Sequence, residues 1–211
     1  MAQDENNPHF ETDPHIRCPL IIMMSGYPAT GKSHAANRLL ECLNRANIKA
    51  EIVASDILRR KLGHVVHPKY FDENDIEAAQ LRAQVYSEML LSAERLLGEF
   101  QAVILDAGYN RRAAREKVYA FAKGKSASVL IVNTVCDDEG EIRSRISRRD
   151  PRNPKEVAND FQMHLLGKSQ AQPIAEGFPM IVIDSISGAM AYVSSDETAK
   201  SLAELLENTN P

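Results

Sequence analysis

The eight residues Gly26-Tyr27-Pro28-Ala29-Thr30-Gly31-Lys32-Ser33 fit the pattern G-x-x-x-x-G-K-[ST] without a mismatch. They constrain this chain more than any other feature, because the pattern works only between a strand and a helix. The flanks meet that demand. Leu20-Ile21-Ile22-Met23-Met24 is a continuous apolar run of the kind a buried parallel strand shows. Downstream, Ala36, Leu39, Leu40 and Leu43 repeat at i, i+3, i+4 and i+7, one face of a helix. Glycine permits the backbone angles and the close approach by which successive N–H groups surround a phosphate. The helix N-terminus adds partial positive charge. Lys32 is expected to reach the β- and γ-phosphates of ATP, and the Ser33 hydroxyl to complete the coordination of Mg²⁺. The expected nucleotide-binding set is therefore Gly26, Tyr27, Pro28, Ala29, Thr30, Gly31, Lys32, Ser33 and the adjoining His34.

The 211 residues suffice for one α/β domain with a substantial core. Charged residues make up 26% and the net charge is −4, so no global basic field argues for nucleic acid or an acidic membrane as partner. Cys18, Cys42 and Cys136 are odd in number and far apart, which supports neither a disulfide framework nor a C-x-x-C metal site and fits a reducing compartment. The first residues have neither a basic n-region nor an apolar h-region, and no run reaches the length of a membrane span. A cytoplasmic location is the expectation. Residues 1–17 carry Pro8, Pro14 and many polar side chains without periodicity and are read as a flexible lead-in to a single domain over 18–211.

Further apolar runs punctuate the chain. A second strand ends at Asp56, Ala102-Val103-Ile104-Leu105 ends at Asp106, a fourth covers 129–135, and a fifth is Met180-Ile181-Val182-Ile183. Helical patterns separate them, including a long one over roughly 74–97 and another near 112–122. The alternation predicts a three-layer α/β fold, a five-stranded parallel sheet with helices on both faces. Ligands in such sheets bind outside the carboxyl ends of the strands, where the glycine loop, Asp56 and Asp106 all fall.

Phosphoryl transfer to an alcohol needs a carboxylate that takes the hydroxyl proton and orients the oxygen. Asp56 suits that role, with Arg59 one helical turn on to hold the acceptor; a helix N-cap is the bland reading of the same aspartate. Asp106 closes an apolar strand as an Mg²⁺-binding acid does, although an aspartate opening a turn would look alike. Asn110, Arg111, Arg112 and Arg115 follow it, and cations at a helix start run against the dipole, hinting at an anionic or polyhydroxyl acceptor. Arg143, Arg145, Arg148 and Arg149 lie within seven residues, with Arg145 and Arg149 on one helix face and Pro151 and Pro154 beyond. That is the pattern of a small lid, about 143–160, whose cations close over a transferring phosphoryl group. His34, His64, His67 and His164 have no metal-ligand spacing and read as surface or core histidines.

Together these blocks resemble small P-loop kinases of the polynucleotide kinase, gluconate kinase, chloramphenicol phosphotransferase and zeta-toxin type, often collected as AAA-like kinase domains. The resemblance covers about residues 19–186 and rests on the loop at 26–33, Ser55-Asp56-x-x-Arg59, Ile104-Leu105-Asp106-Ala107 with Asn110-Arg111-Arg112, and Arg145-x-x-x-Arg149. It implies a P-loop NTPase fold, ATP and Mg²⁺ as cofactors, and transfer of the γ-phosphoryl group to a hydroxyl. Lys32, Asp56, Arg145 and Arg149 would be catalytic, Asp56 as base. Asp56, Arg59, Asp106, Asn110 and Arg112 would meet the acceptor, and Ser33 and Asp106 the metal. A small-molecule acceptor is favoured over a polynucleotide 5′-hydroxyl or RNA end, because the chain lacks an overall basic charge. A nucleotide-dependent switch or ATPase acting through a protein partner is the other alternative.

Overall fold

A computed structural model describes residues 16–64, 74–149 and 161–208. The strand–loop–helix start is β1 (Leu20–Ser25) followed by α1 (Lys32–Arg45). Then come β2 (Ala50–Ala54), α2 (Ser55–Lys61), α3 (Ile76–Leu96), β3 (Ala102–Asp106), α4 (Arg112–Gly124) and β4 (Ser128–Val135). The chain continues through α5 (Glu139–Ser147), α6 (Phe161–Ser169), β5 (Met180–Asp184), β6 (Met190–Tyr192) and α7 (Glu197–Asn208). The sheet runs β2-β3-β1-β4-β5-β6, parallel except for β6, which pairs antiparallel with β5. This is the expected three-layer α/β fold. The five predicted parallel strands are all present, and the three-residue β6 is an additional edge.

β1 is apolar from Leu20 to Met24 because both of its faces are covered. Leu20, Ile22 and Met24 join α1 and α7 in one core, while Ile21 and Met23 join Met89 and Ala93 of α3 and Val118 and Ala122 of α4 in the other. All five side chains are fully buried. A smaller cluster, Ala29, Cys136, Ile142 and Ile146 with Phe161 against it, ties α5 to the glycine loop. Cys42 and Cys136 are buried as small apolar residues, and Cys18 is exposed.

Topology sets the place of the site. β1 lies between β3 and β4, so the chain reverses its direction of travel across the sheet at β1, and the crevice opens above that strand's carboxyl end. The pairing of Ala54 with Asp106 brings the start of α2 beside the end of β3. Asp56 is the second residue of α2, whose N-cap is Ala54, so it is not the helix cap. Residues 1–15 of the expected lead-in lie outside the described residues. Ile16 is buried in the core beside α7 and the Arg17 N–H donates to Thr198 Oγ1, so the packed domain begins before residue 18.

Candidate active site

The glycine loop is held from three sides. Gly26 has φ +133°, and a Cβ there would lie 2.6 Å from Thr134 O, Thr134 Oγ1 and Thr30 Oγ1, so only glycine fits. The Thr30 hydroxyl is 2.9 Å from that of Thr134 on β4, and it also reaches Tyr27 O. Asn110, expected to meet the acceptor, also clamps Gly26. Its Oδ1 accepts from Gly26 N at 3.1 Å and from Ser25 Oγ at 3.3 Å, while its Nδ2 donates to Gly26 O at 3.1 Å. The third support is α6. His164 is buried, with Nδ1 2.8 Å from Pro28 O and its ring stacked on Phe161 and edge-on to Tyr27. Among the four histidines read as surface or core, this one carries the outer wall of the loop.

A cavity of about 690 Å³ opens on the inner side of the loop, lined by Gly26, Pro28, Ala29, Gly31, Lys32, Ser33 and His34 of the expected nucleotide set. Tyr27 and Thr30 serve the loop from behind. Asp56, Arg59, Asp106 and Asn110 line the same cavity, as do Arg145 and Arg149. The Lys32 ammonium is drawn back onto Tyr27 O at 2.7 Å. Burial lowers its pKa to about 8, Asp106 and Asp56 pull it up in part, and Arg149 pushes it down further. Burial raises the Asp106 carboxyl, opposed by a hydrogen bond with Ser33 and by the Lys32 charge. Asp56 pairs with Arg59 at 2.8 Å; the guanidinium is buried and the carboxylate is 36% exposed toward the cavity.

The basic groups divide sharply by position. Arg145 donates to Glu141 at 2.7 Å, to Ser185 Oγ at 2.7 Å, to Ser185 O at 3.0 Å and to Ala29 O at 3.2 Å, fastening α5 to the glycine loop and to the turn after β5. Arg143 lies over the Phe161 ring and Arg148 is exposed beside Glu141. The distal part of the expected lid, 150–160, lies outside the described residues, as does His67. Arg112 does not line the cavity: it sits at the first turn of α4 with its side chain outward, two-thirds exposed and paired with Glu116 at 2.8 Å. Arg115 is fully buried on Glu176 and three carbonyls, so it belongs to the core and not to an acceptor site. Three lining residues that the sequence reading did not single out are Arg82 and Tyr86 of α3 and Lys117 of α4. The spacing of Ala79, Arg82, Ala83 and Tyr86 at i, i+3, i+4 and i+7 was the available signal, a second stripe on α3 beside its apolar one.

The chain is similar to known proteins in sequence and in fold. Residues 21–173 match the model of a protein family described as AAA domain. Human 6-phosphofructo-2-kinase/fructose-2,6-bisphosphatase 1 is 26% identical over 130 residues, 61% of this chain but only 28% of that relative. The crystal structure of a Chloroflexus aurantiacus protein superposes with a TM-score of 0.63 at 14% identity, covering 92% of this chain and all of that one. Mycobacterium tuberculosis APS kinase CysC, in complex with AMPPNP and APS, gives 0.55 at 16% identity, covering 89% of this chain and 96% of that one. At those identities the structures establish the fold. The weak sequence relationship is to 6-phosphofructo-2-kinase/fructose-2,6-bisphosphatases, of whose length the chain spans less than a third.

Proposed function

The chain belongs to the AAA domain family, and on that premise we propose that it is an ATP-dependent kinase that transfers the γ-phosphoryl group to a hydroxyl of a small molecule. The observation that carries this reading is a carboxylate, Asp56, opening into the same cavity as the glycine loop, Lys32 and Ser33. A general base beside the donor phosphates is what a kinase needs. The match to the kinase-bearing relative supports a small acceptor, and the net charge of −4 disfavours a polynucleotide. The reading includes a single domain, extended from the expected 18–211 to take in Ile16 and Arg17, with a lid near 143–160.

In the proposed mechanism the glycine-loop N–H groups and Lys32 hold the donor phosphates. Asp56, oriented by Arg59, positions the acceptor hydroxyl for in-line attack. The acceptor oxygen bonds to the γ-phosphorus as the bond from phosphorus to the bridging oxygen breaks. ADP leaves with that electron pair, and the hydroxyl proton passes to Asp56. Arg149 and Arg145 offset the charge on the transferring group and exclude water from the cavity. Ser33 and Asp106, hydrogen-bonded at the mouth of the loop, suit Mg²⁺, an ion that takes one or two protein oxygens and completes its shell with phosphate and water. Bound there, it would neutralise charge on the β- and γ-phosphates. A panel of sugars, polyols, nucleosides and RNA ends, read for acceptor-dependent ADP formation and for product mass, tests the reading. A phosphorylated alcohol is expected; ADP formation independent of every acceptor would favour the ATPase alternative.

Two further results are expected. With Lys32 at about pKa 8 in the empty site, raising the pH from 7 to 9 removes the ammonium proton that the triphosphate needs. Binding at pH 9 then takes up a proton, and the ATP Kd should weaken by about tenfold. Calorimetry in buffers of different ionisation enthalpy reads that uptake directly; a Kd independent of pH across this range would contradict it. Asn110→Ala should raise the ATP Kd by about tenfold, the effect of losing buried hydrogen bonds to Gly26, with little change in acceptor KM. A rise in acceptor KM alone would return Asn110 to the acceptor side.

A further inference from the structure

The cavity is far more basic than the chain around it. Seven cationic side chains and two carboxylates line it among the described residues, although the protein carries a net charge of −4. Some of that excess belongs to the donor. Lys32, Arg145 and Arg149 stand at the loop, on α5 and just past its end, where triphosphate charge would sit, and Arg59 answers Asp56. Arg82, Arg111 and Lys117 line the same cavity from α3, from the N-cap of α4 and from α4 itself. None of the three belongs to the glycine loop or to α5 and the residues just past it, which carry the expected donor-side cations.

Small residues accompany these cations. Arg82 lies between Ala79 and Ala83 on α3, and Lys117 one turn after Ala113 and Ala114 on α4; all four alanines line the cavity. Short side chains leave room for long cationic ones. Arg111, the N-cap of α4, donates to Gln170 Oε1, another lining residue, which fixes its guanidinium at the rim. Two guanidinium forks and an ammonium lining one cavity with four alanines match the oxygens and double charge of a phosphomonoester better than a neutral polyol.

We propose that the acceptor is a small alcohol bearing a phosphomonoester, whose phosphate is seated by Arg82, Arg111 and Lys117 while its hydroxyl faces Asp56. This rests on the kinase reading for the role of the hydroxyl, but the anion subsite has its own readout. With the donor half filled by saturating Mg²⁺·ADP, inorganic phosphate should bind, followed by calorimetry. Arg82→Ala and the exposed-site variant Lys117→Glu should each weaken that binding at least tenfold, with the ADP Kd as internal reference. Absence of phosphate binding to the ADP complex, or binding indifferent to both variants, overturns the subsite. Matched acceptor pairs, such as glycerol with glycerol 3-phosphate and glucose with glucose 6-phosphate, then separate the two claims. Turnover confined to phosphorylated members, with kcat/KM falling in Lys117→Glu, supports the proposal. Equal turnover of neutral members, or turnover only of polynucleotide ends, overturns it and leaves the kinase standing. Phosphate binding that depends on both variants, with no alcohol in the panel phosphorylated, supports the subsite and counts against the kinase.

Discussion

Asp56→Asn should lower the transfer rate by about 10²–10⁴-fold, the range a positioned general base contributes, while the ATP Kd stays within about twofold. The substitution keeps the size and polarity of the side chain and leaves an oxygen able to accept from Arg59, which now pairs with Asp56 at 2.8 Å. It removes the capacity to accept the hydroxyl proton. The loss should appear in kcat, because the interaction that matters is made as the proton moves. Asp106→Asn separates the two acids: with Ser33 and Lys32 as neighbours, it should change the Mg²⁺ dependence of the reaction. Wild-type turnover by Asp56→Asn would remove the base assignment.

Arg115→Met should cost about 1–3 kcal/mol of folding stability, because it leaves the half-buried Glu176 carboxylate and the carbonyls of Tyr109, Gln172 and Pro173 without their donor. Arg115 has no exposed surface, and its Nη2 meets Glu176 Oε1 at 2.6 Å and Pro173 O at 2.8 Å, with Tyr109 O at 3.2 Å and Gln172 O at 3.3 Å on Nη1. One guanidinium thereby ties α4 to the segment between α6 and β5. Burial pushes the Glu176 carboxyl up, but hydrogen bonds and charge from Arg115, with backbone donors including Ala175, outweigh it and hold the carboxyl below its usual range. Since the folded value is the lower one, this contribution is present above the unfolded glutamate value and is lost as pH falls through the folded one. Urea unfolding should show the deficit near neutrality narrowing in acid. A loss under about 1 kcal/mol would mean that the carbonyls and Glu176 find other partners.

The fold was legible wherever burial on both faces leaves a run that nothing else explains, as at Leu20-Ile21-Ile22-Met23-Met24 and Val103-Ile104-Leu105. It was not legible in β6, three residues on an edge with two of them exposed. Residue types at strand ends were enough to gather Lys32, Asp56 and Asp106 at one end of the sheet, and they line one cavity. Partners remote in sequence were beyond reach. Asn110 bonds to a glycine 84 residues earlier, and Arg115 to a glutamate 61 residues later. Arg112 and Arg115 are three positions apart on α4, yet one faces solvent and the other the core, so a cluster of arginines at a helix start did not indicate a common target.

The central claim is that the γ-phosphoryl group goes to an alcohol oxygen. Turnover of ATP with an active acceptor in ¹⁸O-labelled water, followed by mass analysis of every phosphorus-containing product, tests it most directly. The account predicts a phosphate ester free of label, formed in step with ADP, with labelled inorganic phosphate only a trace. Labelled inorganic phosphate equal to the ADP formed, with no ester, would contradict it and make water the acceptor.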